Sequence, residues 1–203
     1  MENVVIILDG GFVKLKLRET LKRFATADDV EQLCVNIMAH PRLAGFRLFR
    51  AFFYDAEPFE GSATNPLDKQ RTNFAVTGTA IRGRALLEAL ELKPDFAVRR
   101  GELALHGWKL GRAAQKAIQR APRAIQANDL VPAMEQKQVD LKIGLDVASI
   151  ATKRIASAVV IVSGDSDLVP VMKFARREGV KVYLAPLGHG VRREMKAHAD
   201  LLI

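Results

Sequence analysis

The chain has 203 residues, 49% of them hydrophobic, and a formal net charge of +8. That length suits one domain, and that apolar fraction excludes global disorder. The basic excess favours a polyanionic partner, nucleic acid first, and no apolar run approaches the roughly 20 residues that a membrane helix needs.

In chain order, residues 4–8 form a short apolar run rich in β-branched side chains, the pattern of a buried parallel-type strand. It starts within three residues of Met1, with no charged leader before it, so a soluble cytoplasmic protein is expected. Asp9 ends the run, and Gly10-Gly11 follows. Residues 12–24 carry apolar side chains at helical spacing. Asp28-Asp29 is expected to cap a helix over 30–38, which Pro41 stops. The sole cysteine, Cys34, lies on the apolar stripe of that helix, reads as core, and rules out an intramolecular disulfide. Residues 46–54 predict a second strand and 55–65 a loop. Residues 80–92 predict a helix that ends before Pro94.

Residues 96–100 and 103–108 read as two short strands turned at Gly101-Glu102. Residues 111–127 are basic, weakly patterned and interrupted by Pro122, and are expected to form a mobile, positively charged excursion. A long helix follows over 139–155, then a buried strand over 158–162 and a helix over 168–178, stopped by Gly179. Residues 180–185 predict a strand, 191–197 a short helix and 201–203 a last strand. The alternation predicts one α/β domain, residues 1–203. It has an open, mainly parallel Rossmann-like sheet flanked by helices, and a β-hairpin and basic insertion over about 96–127.

In such sheets ligands bind beyond the carboxyl ends of the strands. Asp9 stands at one such end, and Asp165 and Asp167 stand at another, in Ser163-Gly164-Asp165-Ser166-Asp167. Asp140 opens the long helix on a face with Ile143, Gly144 and Val147. Asp146 lies about 240° round from it and can only support. Clustered carboxylates are hard ligands suited to Mg²⁺ or Mn²⁺, and a cation relieves their mutual repulsion. The plainer alternatives are helix capping by Asp140, Asp165 or Asp167 and turn chemistry at Asp9. Ser163 is not in a nucleophile elbow and is at most supporting. The four histidines lack paired zinc spacing, and the P-loop and dinucleotide motifs are absent. Arg99, Arg100, Lys109, Arg112, Lys116, Arg120, Arg123 and Lys142 are candidate contacts for an RNA backbone. Trp108 among them either stacks on a base or packs.

The stretch around Asp9, then Lys137-Gln138-Val139-Asp140, then Ser163-Gly164-Asp165-Ser166-Asp167-Leu168 with Gly179-Val180-Lys181-Val182, resembles the NYN domain. This is a branch of the PIN-like nucleases, here its LabA-like subgroup. The resemblance implies an acidic Mg²⁺ or Mn²⁺ site and RNA cleavage, with Asp9, Asp140, Asp165 and Asp167 as the catalytic and metal-binding carboxylates. Many members carry an asparagine shortly after the first aspartate. Asp9-Gly10-Gly11-Phe12-Val13 has none. A metal-dependent endoribonuclease is therefore the first expectation. A non-catalytic RNA- or protein-binding module is the second, and a small-phosphoester hydrolase the third. The residues leave the oligomeric state open, a homodimer included.

Overall fold

The computed structural model describes residues 1–203. Its first half runs β1 (Glu2–Asp9), α1 (Gly10–Leu21), α2 (Ala27–Met38), β2 (Phe46–Ala56), β3 (Ser62–Thr64), β4 (Arg71–Asn73), α3 (Gly78–Glu91) and β5 (Phe96–Leu110). The second half runs α4 (Arg112–Arg120), β6 (Leu130–Lys137), α5 (Val139–Thr152), β7 (Ala158–Val162), α6 (Val169–Arg177), β8 (Lys181–Leu184), α7 (Arg193–His198) and β9 (Leu201–Leu202). Seven strands make a mixed sheet in the order β6-β5-β2-β1-β7-β8-β9, and β3 pairs with β4 separately. The chain divides into two compact units. One comprises Met1–Asp55, Ala85–Gly101 and Gln138–Ile203, and the other Ala56–Arg84 and Glu102–Lys137.

In the first unit β1 is central and pairs in parallel with β2 and β7, while β7 pairs with β8 and β8 with β9. Val4 to Leu8 and Ala158 to Val162 are all 0% exposed, so both faces of β1 and β7 are covered. The pleat sends alternate side chains to opposite faces. Val5, Ile7, Val159 and Ile161 meet Ile143 and Val147 of α5 and Met172 of α6. Val4, Ile6, Leu8 and Val160 meet Val13 of α1, Val30 and Cys34 of α2, and Leu87 and Leu90 of α3. Each such aliphatic burial contributes about 1.5–3 kcal/mol, which is why a continuous apolar run specifies a central strand. Cys34 is core as expected, and burial pushes its thiol up to about 12. Helix α2 starts earlier than its two aspartates imply. Thr26 is the cap, and Asp29 closes a capping box back onto it.

The second unit and the strand that leads into it depart from the sequence-based expectation. The hairpin expected at Gly101-Glu102 is instead one continuous strand, β5. A two-residue hairpin turn needs positive φ, and the positive φ falls not at Gly101 but at Gly107, at +89°. There the antiparallel register with β6 slips between Leu105–Met134 and Trp108–Pro132. Pro132 has no N–H to donate, and it sits at that irregularity on the last strand of the order. A proline inside the run is what hid β6 from sequence reading. The basic stretch over 111–127 also carries regular structure. It contains α4, and its two ends are tied at Asp129. The Asp129 carbonyl accepts from the Gly111 N–H at 2.8 Å. Arg123 donates to both Asp129 carboxylate oxygens, at 2.6 and 2.7 Å. The loop expected over 55–65 holds β3, which turns back through Asn65 to β4.

Candidate metal centre

The sheet register sets the site. Leu8 pairs with Val162 and Asp9 with Tyr54. The residues that leave β1, β2 and β7 therefore emerge side by side at the carboxyl edge. Asp9 caps α1, its Oδ1 accepting from the Phe12 N–H at 3.1 Å. Its Oδ2 accepts from the Ser163 hydroxyl at 2.9 Å. Ser163 is 0% exposed, and its Oγ also accepts from the Asp165 N–H at 3.0 Å. One hydroxyl thus ties the end of β1 to the loop after β7. Asp165 Oδ1 then accepts from the Asp167 N–H at 2.9 Å and caps the 3₁₀ turn Ser166–Leu168 that leads into α6. Asp140 stands exposed in the first turn of α5, next to buried Val139.

Electrostatics joins the four carboxylates. Burial raises the Asp9 carboxyl above its ordinary range. The Phe12 N–H and the Ser163 hydroxyl oppose that rise, and the negative charges of Asp140 and Asp165 add to it. Asp140 is raised by desolvation first, then by Asp165 and Asp167. Neither Asp9 nor Asp140 has a cationic partner to relieve it. Geometry is more open than electrostatics. No group of three or more histidine, cysteine, aspartate or glutamate side chains is gathered tightly enough to hold a metal ion. The donor set therefore suits a hard divalent cation in its chemistry, while its side chains stand apart.

Asp146 is occupied elsewhere. Its Oδ2 accepts from the Tyr54 hydroxyl at 2.9 Å and from Arg99 Nε at 2.8 Å. The same Arg99 guanidinium lies 4.9 Å over the Phe52 ring. Among the other basic candidates, Arg100 pairs with Glu91, Lys142 donates to the Arg100 carbonyl, and Arg123 pairs with Asp129.

Three neighbours of the site were missed in the sequence. Asp55 is the penultimate residue of β2, is 2% exposed and is ion-paired with Lys14 of α1. An aspartate after a predicted strand was its signal. Gly10 allows α1 to start against β2, since a Cβ there would lie 2.7 Å from the Tyr54 carbonyl oxygen. A side chain at residue 10 would run into the backbone of β2. His189 packs edge-on to Phe12, with centroids 5.7 Å apart. A Cβ on Gly164 would lie 2.7 Å from its ring. Only the fold brings this histidine beside the Ser163-Gly164-Asp165 loop, so no local spacing could signal it.

The chain matches the NYN domain over residues 49–203. It belongs to the NYN domain family. NYN domains are part of the PIN-like superfamily, and the family is generally nuclease-like and related to nucleic acids. The matched span of this NYN domain includes Asp140, Asp165 and Asp167, while Asp9 precedes it. The fold is similar to the crystal structure of a protein of unknown function from Vibrio parahaemolyticus. The two share 16% identity with a TM-score of 0.53, covering 100% of this chain and 91% of that one. The comparison with curated proteins finds no match. No helix is long and apolar enough to cross a membrane.

Proposed function

We propose that this NYN domain is a metal-dependent endoribonuclease, with Asp9, Asp140, Asp165 and Asp167 as the carboxylates that hold Mg²⁺ or Mn²⁺. The observation that carries the reading is Asp9, a largely buried carboxylate with no cation beside it and with Asp140 and Asp165 adding to its cost of ionisation. A divalent cation is the missing counter-charge. When bound, it supplies charge neutralisation and stabilises the negative charge that develops on a phosphodiester. The chain's own groups set the stage for that. The Phe12 N–H and the Ser163 hydroxyl hold both oxygens of Asp9 in one orientation. The Ser163 oxygen also fixes the backbone from which Asp165 projects. The Lys14–Asp55 pair neutralises a buried carboxylate at the neighbouring strand end, so Asp55 does not add to the repulsion.

The test is cleavage of a labelled RNA with and without Mn²⁺, comparing wild type with Asp165→Asn. Mn²⁺-dependent cleavage that the variant loses supports the reading. The same background from both proteins overturns it. A metal-induced rise in melting temperature, lost in Asp165→Asn, reads the same site without activity. A non-catalytic RNA-binding module is favoured by one observation, the absence of a gathered ligand group. It predicts RNA binding that survives Asp9→Asn, with no metal-dependent turnover.

A further inference from the structure

Helix α4 has no buried residue, no acidic residue in its first turn and no side-chain cap. Arg112, Lys116 and Arg120 recur on it at every fourth position, one row about 6 Å apart along a single face. Like charges at that spacing weaken a helix, and Arg112 at its start opposes the helix dipole. Neither these three nor exposed Lys109 just before the helix is in an ion pair. Their unit, residues 56–84 and 102–137, holds ten Lys and Arg against six Asp and Glu. The cations of Arg99, Arg100 and Arg123, by contrast, are spent on Asp146, Glu91 and Asp129.

The helix is nonetheless held in place. Gly111 and Arg123 bracket it, and both are bonded to Asp129, which is 6% exposed. A row of cations that costs helix stability, has no internal partner and is anchored at both ends is built to meet an extended polyanion. Away from that row α4 offers Ala114, Ala117 and one large apolar residue, Ile118. That is too little apolar surface to enter a bilayer interface.

We infer that Lys109, Arg112, Lys116 and Arg120 form a rail for the phosphate backbone of single-stranded RNA. The inference rests on the RNA reading of the preceding subsection for the identity of the polyanion. The rail contacts consecutive phosphates and is indifferent to sequence.

The experiment measures binding of a labelled oligouridine of about 20 nucleotides, the length of one or two typical binding sites, across a salt series in EDTA. Each lost phosphate contact removes about 0.7 from the slope of log K against log salt for a single strand. The triple variant Arg112→Gln, Lys116→Gln, Arg120→Gln is expected to have a slope shallower by about 2 and about a hundredfold weaker binding at 0.1 M salt. The control is Lys153→Gln, Arg154→Gln, at exposed cations of the other unit, with the wild-type slope expected. An unchanged slope in the triple variant overturns the rail, as does an equal change in the control. A loss confined to phosphatidylserine vesicles overturns it in favour of a lipid surface. EDTA keeps this readout apart from hydrolysis. A protein that binds through the rail but never cleaves RNA with Mn²⁺ removes the nuclease reading alone.

Discussion

Substituting Ser163 by alanine tests whether one hydroxyl holds the candidate centre together. The side chain is 0% exposed, donates to Asp9 Oδ2 at 2.9 Å and accepts from the Asp165 N–H at 3.0 Å. A hydrogen bond to a carboxylate contributes about 1.5–3 kcal/mol and one between neutral groups about 0.5–1.5. Both partners lose their bond at once, so the expected loss is about 3 kcal/mol at neutral pH. For a chain of this size that corresponds to roughly 9 °C in melting temperature. The hydroxyl also lowers the Asp9 carboxyl. Its removal pushes that carboxyl further up, so the penalty shrinks as pH falls and Asp9 takes up its proton. Ser157 is the comparator. It stands at the other end of β7, and its hydroxyl bond to Glu2 Oε2 at 2.7 Å is exposed. Ser157→Ala is expected to change stability by less than about 0.5 kcal/mol. Urea denaturation of both variants gives the two numbers. If Ser163→Ala costs no more than Ser157→Ala, the hydroxyl does not tie the two strand ends and the account of the site fails.

Two more expectations concern charge. Asp9 is raised, so the folded state binds its proton more tightly than the unfolded chain, and ionising it costs stability as pH rises above 3.8. Metal-free Asp9→Asn should therefore be more stable than wild type at pH 7, with the difference closing as pH falls toward 3.8. Urea titrations at several pH values check this, and a variant less stable than wild type throughout refutes it. Asp129 has the opposite sign. Arg123 first, and then the Gln126 N–H, hold its carboxyl down to about 2. Its contribution is complete above the ordinary 3.8 and is lost as pH falls toward about 2. Arg123→Gln should release α4 at neutral pH, read as faster amide exchange over 112–120, and unchanged exchange speaks against the anchor.

The parts of the fold that were legible share a cause. β1 and β7 are buried on both faces, so their runs are apolar throughout and need no partner to be recognised. Helix α5 shows its face because Val139, Ile143, Val147 and Ile150 recur at helical spacing toward one core. β5 was expected as a turned hairpin and β6 was not expected, because their pairing joins Glu102 to Lys137 across the chain and a proline on an outer strand looks locally like a stop. Thr26 is not singled out as a cap by the sequence because Asp28, two residues on, offers the same chemistry.

The aspartates that leave the strands were visible in the sequence, since a carboxylate after an apolar run is a local pattern. Their surroundings were not. Asp9 meets Ser163 across 154 residues of chain, and Arg99 meets Asp146 across 47. The sequence by itself determined which segments become buried strands, where acidic groups leave them, and that the chain carries excess positive charge. Only the tertiary structure decided that Asp9 shares a hydroxyl with the Asp165 loop, that Asp146 is neutralised by Arg99, and that the row on α4 keeps its charge free. The physical reason is that burial patterns are set by neighbours along the chain, whereas hydrogen bonds and ion pairs act over a few ångströms of space, whatever the distance in sequence.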